Sequence, residues 1–283
     1  MILVTGATGN IGSELVEQLV RKGEALRVVT RDPKKVAHLD ARIERVIGDL
    51  SEEETIKRAV KGVDSIFMFP LLYDQNHKSN RALLKSAKEA GVAKVVMLSS
   101  MGAARADNEI GRLHREKEEL VESSGIPWTL LRPGSFMTNT YQWLPMIKHQ
   151  NKVFNPTGDG KVAPISPRDI AAVAVTALTN EGHDGKIYEL TGPELLSARE
   201  QVAELAKATG IKIECVDVPV GAAADQARKG GVPDFVVDGL TKLWEHIKEG
   251  RSARKTEEVE KLTGQAGETF KQWCEKHRDA FLN

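Results

Sequence analysis

The chain has 283 residues, with 40 Lys and Arg against 40 Asp and Glu, and so no net formal charge. That length fits one large domain or one domain with a smaller partner, and it is enough to bury a core without staples. Charge balance speaks against a nucleic-acid binder held by a basic face, and 41% hydrophobic with 28% charged residues speaks against a disordered chain. Two cysteines, Cys215 and Cys274, make no disulfide framework and no CxxC metal pair. No run approaches the roughly 18 apolar residues of a membrane span. The chain opens into apolar Ile2–Thr5 with no charged leader, so no signal peptide is expected, and a reducing, cytoplasmic location is the expectation.

In chain order, Ile2–Thr5 reads as a strand and Ile11–Lys22 as a helix. Leu26–Thr30 and Arg42–Ile47 are strands, and Ser51-Glu52-Glu53-Glu54 predicts a capping box opening a helix. Ser65–Phe69 is a strand, Asn80–Ala90 a helix stopped by Gly91, and Val95–Leu98 a strand. A charged helix from Glu109 to Ser123 ends near Gly125, and Trp128–Leu131 is a sixth strand. Strands alternating with helices of this length predict βαβ units, a Rossmann-type doubly wound α/β sheet with helices on both faces. Ligands of such sheets sit outside the carboxyl ends of the strands, so the loops after each strand are the place for chemistry.

The rhythm breaks near residue 134. Gly158-Asp159-Gly160 is a turn, Ser166-Pro167-Arg168-Asp169 starts an Ala/Val-rich buried helix, and Lys186–Leu190 is a further strand. Ser197-Ala198-Arg199-Glu200 is a capping box opening a helix that stops at Gly210. The expected division is a nucleotide-binding core over 1–135, with returning segments from about 160–192, and a smaller, mostly helical substrate or lid subdomain over 193–283.

Gly6-Ala7-Thr8-Gly9-Asn10-Ile11-Gly12 lies between the first strand and the first helix. Gly6 permits the tight turn, Gly9 lets backbone approach a pyrophosphate, and Gly12 lets the helix pack closely on the strand, while the helix N-terminus offers free N–H groups to phosphate. The context makes this a dinucleotide site with Gly6, Thr8, Gly9, Asn10, Ile11 and Gly12 as its contacts. The second strand ends Thr30-Arg31-Asp32-Pro33-Lys34-Lys35. A cationic strand end, with Arg31 and Lys35, suits the 2′-phosphate of NADP(H), and Asp32 before Pro33 reads as a turn or cap residue; Arg31 as a merely solvated charge is the plain alternative. Asp49 and Leu50 leave the third strand beside the adenine, with helix capping as the other role for Asp49.

The N-terminal TGATGNIG, the Arg31 strand end, Gly48-Asp49, Leu98-Ser99-Ser100, Leu130-Leu131-Arg132-Pro133-Gly134, Gly158-Asp159-Gly160 and Gly182-His183-Asp184-Gly185-Lys186-Ile187-Tyr188 occur in order. Together they resemble the NmrA-like family of atypical short-chain dehydrogenase/reductases, closest to its NADPH:quinone reductases and triphenylmethane dye reductases. The resemblance implies that Phe69, Pro70 and Leu71 line the adenosine-ribose path, that Pro133, Ser135 and Phe136 wrap the nicotinamide, and that Ser99 or Ser100 faces substrate. Backbone capping is the alternative for both serines. Ordinary members of the superfamily use Tyr-x-x-x-Lys, but residues four beyond Tyr73, Tyr141 and Tyr188 are His77, Pro145 and Gly192. His114 falls near the lysine position, with Lys117 the nearest cation, so His114 and Ser99 are the catalytic candidates. Met101, Met137, Trp143 and Trp244 are candidates, with Ser100, for a wall against a planar acceptor, and core packing is the alternative for any one of them.

His38, His149, His183, His246 and His277 have no ligand spacing, so no metal site is assigned. The leading expectation is an NADPH-dependent reductase of a planar, electron-poor acceptor such as a quinone or dye, in which water supplies the proton. A non-catalytic NADP(H) sensor and a sugar-epimerase-like enzyme are the alternatives. The expected partners are a small aromatic acceptor and a second copy of the chain, with no nucleic acid and no membrane.

Overall fold

A computed structural model describes residues 1–282, and the apolar runs of its first half become strands followed by helices. The order is β1 (Ile2–Val4), α1 (Asn10–Lys22), β2 (Leu26–Thr30), β3 (Glu44–Ile47), α2 (Glu53–Val60), β4 (Ser65–Met68), α3 (Lys78–Glu89), β5 (Lys94–Leu98), α4 (Glu109–Glu122) and β6 (Trp128–Pro133). There follow α5 (Leu144–Gln150), β7 (Lys152–Asn155), β8 (Lys161–Val162), α6 (Pro167–Thr179), β9 (Lys186–Leu190), β10 (Leu196–Ser197), α7 (Ala198–Thr209) and β11 (Glu214–Asp217). The chain closes with α8 (Val220–Lys229), α9 (Asp234–Lys248), α10 (Glu258–Thr263), α11 (Phe270–His277) and α12 (Asp279–Leu282).

The main sheet runs β3-β2-β1-β4-β5-β6-β9, and β1 to β6 pair in parallel. β1 lies between β2 and β4, so strand order reverses there, and this is where such sheets open a crevice for ligand. Side chains of α1 at Ile11, Leu15, Val16 and Leu19 recur at helical spacing and are buried. α1 packs with α6, and α2, α3 and α4 supply Ile56, Leu83, Leu84 and Val121 to a core built on Leu3, Ile66, Val95 and Leu130.

The chain divides into two compact units. The first is Met1–Ala106, Gly111–Pro133 and Pro167–Glu189; the second is Asp107–Ile110, Gly134–Ser166 and the chain from Leu190 onward. The segment that returns to the first unit is thus shorter than the expected stretch of about 160–192. The second unit is not helical throughout: β7 pairs in parallel with β11, and β8 pairs antiparallel with β10. Its core gathers Ile147, Val153, Leu205, Phe270, Trp273 and Phe281, and Met137 lies fully buried among them.

Local signals fared unevenly. The Ser197–Glu200 capping box forms, α7 ends at Gly210 in the left-handed region, and Asp32 accepts from the Lys34 N–H to cap a 3-10 turn over Pro33–Val36. The expected Ser51 box does not form. Asp49 accepts from the Ser51 N–H at 2.9 Å, so the chain turns there and α2 starts later, behind Glu52. A second capping box, Thr269 with Gln272, opens α11.

Candidate functional site

The glycine loop is shaped by close approach. Gly6 sits at φ +67, and a Cβ there would stand 2.9 Å from the Phe69 Cβ. A Cβ on Gly12 would stand 2.1 Å from the Gly6 carbonyl oxygen and 2.8 Å from the Ala7 Cα, so α1 can lie this near the strand end only with glycine. Thr5 fixes the loop to β4: its hydroxyl donates to the Phe67 carbonyl and accepts from the Phe69 N–H at 2.7 Å. Gly9, the N-cap of α1, offers no side-chain cap, and the first turn holds no acidic residue. The helix therefore presents uncapped N–H groups and the positive end of its dipole to an exposed loop of Thr8, Gly9 and Asn10, which fits the pyrophosphate of a dinucleotide.

Around this cradle, Phe69 and Leu71 are exposed while Pro70 is buried, and Leu50 packs partly against the core. Arg31 is 82% exposed and its guanidinium lies 3.7 Å from Asp49. Asp49 is itself held below the usual carboxylate range, chiefly by the Ser51 N–H. Lys35 is exposed on the 3-10 turn behind Asp32. Residues expected to touch the phosphate, ribose and adenine thus share one rim of the first unit.

The ends of β5 and β6 are tied by a buried charge. Glu118 of α4 has no exposed side-chain surface. It accepts from the Ser99 hydroxyl at 2.6 Å, from Arg132 Nε and Nη2 at 2.7 and 2.6 Å, and from Arg115 Nη1 at 3.0 Å. Burial, the largest single influence, pushes the Glu118 carboxyl up, but the Arg132 and Ser99 hydrogen bonds with the nearby Arg132 charge outweigh it and hold it below its ordinary range. The Ser99 hydroxyl, expected to face the reaction, is here engaged by Glu118. Ser100 instead accepts from the Gly102 N–H and caps the 3-10 turn Met101–Ala104, which is its capping alternative; Met101 is half-buried there.

One helical turn before Glu118 stands His114. Its Nδ1 is buried without a hydrogen-bond partner, and burial pushes its pKa down to about 4. The imidazole is neutral near pH 7 and does not titrate there. Lys117 is fully buried; its ammonium donates to His77 Nδ1 at 2.7 Å, and burial lowers its pKa.

In the second unit a cavity of about 140 Å³ brings together four of the expected residues: Ser135, Phe136, Trp143 and Trp244. Met137, expected beside them, is turned into the core instead. Phe154, Asn139 and Gln142 join the lining, as do Leu240 and Leu243 of α9, none of them foreseen. The α9 residues were discoverable: Leu240, Leu243, Trp244 and Ile247 recur at helical spacing. Glu118, Arg132 and Thr5 left no comparable signal. Among the described residues no cluster of His, Cys, Asp and Glu is arranged to hold a metal ion, and no helix is long and apolar enough to cross a membrane.

The profile of a family described as NAD(P)H-binding matches residues 6–181. The chain is 37% identical, over 99% of both chains, to a (4-alkanoyl-5-oxo-2,5-dihydrofuran-3-yl)methyl phosphate reductase of Streptomyces griseus. It is 36% identical, again over 99% of each, to an NAD(P)H azoreductase of Xenophilus azovorans. Among solved structures, an Escherichia coli NADPH-dependent quinone oxidoreductase complexed with NADPH superposes with a TM-score of 0.86 at 27% identity, covering 98% of this chain and 99% of that one.

Proposed function

The chain belongs to the NAD(P)H-binding family, and from that premise we propose that it is an oxidoreductase that uses NADPH to reduce a planar, electron-poor acceptor of the quinone or dye class. The observation that carries this reading is the phosphate cradle: the Gly12 contact with the Gly6 carbonyl, beside an uncapped helix terminus. The reduced relatives' acceptors, an azo compound and a quinone by name, share strong hydride affinity.

NADPH over NADH is supported by the end of β2. Asp32 Oδ1 accepts from the Lys34 N–H, which draws that side chain into the 3-10 turn it caps, while the cationic Arg31 stands at the strand end. Arg31 is free to turn, since a 3.7 Å pairing with Asp49 at the surface is worth well under about 1 kcal/mol. A 2′-phosphate would give its guanidinium a charge-assisted, bidentate partner instead.

Bound NADPH supplies the hydride. The residues around it bind and orient: the α1 terminus holds pyrophosphate, and Phe69 and Leu71 cover the adenosine side. For His114 the arrangement supports a fixed donor. A buried, partnerless Nδ1 is tolerated better as a bare acceptor than as an N–H, which places the proton on Nε2. Nε2–H then serves as a neutral donor toward the cofactor's ribose. No Tyr-x-x-x-Lys pair exists to deliver a proton, so the acceptor's oxygen or nitrogen takes its proton from water.

The test is NADPH oxidation, followed at the nicotinamide absorbance, against quinones, azo dyes and cationic dyes, with NADH in parallel. Turnover with at least one acceptor, abolished by Gly12→Val, is the expected result. Tight NADPH binding with no oxidation by any acceptor would refute the reductase reading.

A further inference from the structure

The cavity of the second unit is lined by nineteen residues, and none of them is Asp, Glu, Lys, Arg or His. Several charges on the elements that build it are engaged elsewhere. Lys161 of β8 meets Glu200 at 2.8 Å, and Asp217 of β11 meets Arg199 at 2.7 Å and the Asn155 amide at 2.8 Å. On α9, Lys242 sends its ammonium to the Asp107 carbonyl at 2.6 Å. What lines the space is uncharged throughout, aromatic and aliphatic side chains together with neutral hydroxyls and carboxamides, Asn139 and Gln142 among them. At about 140 Å³ its size matches cavities that accept a single aromatic ring.

From this we infer that the cavity is the acceptor site and that it selects an uncharged, planar acceptor, rejecting one that carries a phosphate or sulfonate. The inference rests on the reductase reading above and narrows it. An anion entering this cavity would leave its hydration shell for walls that offer no cation, a cost that only hydrogen bonds from neutral amides would offset. An uncharged quinone loses little water and stacks against Phe136, Trp143 and Trp244. The 37% identical S. griseus relative is named for a phosphate ester, the kind of acceptor this cavity would reject.

The step balances without a charged side chain. Hydride from NADPH forms an O–H bond at one quinone oxygen, the π pair of that C=O moves into the ring as it becomes aromatic, the π pair of the second C=O moves onto its own oxygen, and that oxygen takes a proton from water. NADPH, quinone and one proton yield NADP+ and hydroquinone. Asn139 and Gln142 are the neutral donors available to the oxygen that gains charge.

The test compares a methyl-substituted para-benzoquinone, a single ring, with the same ring bearing a sulfonate. The sulfonate withdraws electrons and makes the ring the better hydride acceptor in solution, so intrinsic reactivity opposes the expected order. In the wild-type enzyme kcat/KM should favour the uncharged quinone by at least about tenfold, the scale of one poorly solvated charge. Leu243→Lys, at a lining position 38% exposed and so tolerant of a long chain, should bring the two within a few-fold. Leu243→Gln should leave the ratio as it was. Quenching of tryptophan fluorescence by each quinone, with cofactor absent, should follow the same order and vanish in the Trp143→Phe, Trp244→Phe double variant. A sulfonated quinone used as well as its parent, or a ratio indifferent to Leu243→Lys, overturns the inference, as does quenching that survives in the double variant. If neither quinone is reduced but quenching keeps the expected order, the reductase reading falls and the charge selection stands.

Discussion

Replacing Glu118 by Ala should cost more than any other single change near the strand ends. The substitution removes the acceptor of Arg132 Nε and Nη2 and leaves that guanidinium buried, with 11% of its side chain exposed. Stranding one member of a buried ion pair costs about 3–5 kcal/mol, and the Ser99 hydroxyl loses its partner as well. Arg115 limits the damage, because it keeps Glu119 and Glu122. A net loss of about 4 kcal/mol converts to a Tm lower by about 7 °C for a chain of this size. The paired change Glu118→Leu with Arg132→Met removes both charges and should return to within about 1–2 kcal/mol of wild type, since a buried pair is roughly neutral against apolar residues of like volume. The carboxyl of Glu118 is held low in the fold, so its contribution is present above the unfolded-state pKa and is lost as pH falls through the folded one. The gap between wild type and the paired variant should therefore close on acidification. Denaturant titrations at neutral and acid pH measure all of this. A loss under about 1 kcal/mol for Glu118→Ala, or a paired variant no better than the single one, would show that the buried charge is not what ties β5 to β6.

Gly12→Ala should lower stability by about 1–3 kcal/mol and NADPH affinity by tenfold or more, because the added Cβ meets backbone on two sides; wild-type affinity by fluorescence titration would contradict the cradle. Arg31→Ala should weaken NADPH by about tenfold, the scale of one charge-assisted hydrogen bond, and leave NADH unchanged; equal losses for both cofactors would remove Arg31 from the 2′-phosphate. His114 should make the fold acid-sensitive. Its folded pKa of about 4 lies below the ordinary 6.5, so the unfolded chain takes up the proton first. Stability is then full above pH 6.5 and declines toward pH 4, by at most about 3 kcal/mol. His114→Asn should flatten that slope in denaturation measured against pH, and an unchanged slope would contradict the buried, neutral imidazole.

The phosphate loop was legible because its glycines record contacts with backbone a few residues away, so spacing and geometry are nearly the same statement. Asp32 was legible for the same reason, its partner Lys34 being two residues on. The partner of Ser99 was not legible, because its hydroxyl is claimed by a glutamate 19 residues later on another element, and nothing in the sequence marks which face of α4 meets which strand end. Glu118 and Arg132 looked like ordinary charges in a charged helix and at a strand end. Met137 was grouped with its neighbours, yet in the 3-10 turn Met137–Trp143 adjacent residues point in different directions, so Phe136 and Trp143 reach the cavity while Met137 enters the core. The missing half of the cavity wall lies on α9, about a hundred residues beyond Phe136 by chain numbering, and its apolar stripe was readable as a helix face without revealing what it faces.

The chain holds no Tyr-x-x-x-Lys pair to move a proton. The three groups of α4 that stand where proton chemistry would be expected are each unsuited to it near pH 7. His114 is neutral, with a pKa far below the working range. Lys117 is buried against His77 rather than presented to ligand. Glu118 is ionised and accepts from Ser99, Arg132 and Arg115 together. General acid–base catalysis needs a group whose pKa lies near the operating pH and within reach of the reacting atom. A helix so arranged holds geometry, not protons. On the reading proposed above, the reaction is confined to acceptors whose reduced anion is stable enough to wait for water. An uncharged quinone meets that condition by delocalisation, whereas the alkoxide of an isolated ketone or a sugar does not. An unactivated ketone of the size of a benzoquinone should therefore bind and quench tryptophan fluorescence without being reduced. Measurable NADPH oxidation with such a ketone, persisting at neutral pH in a His114→Asn variant, would mean that a proton donor outside α4 serves the site.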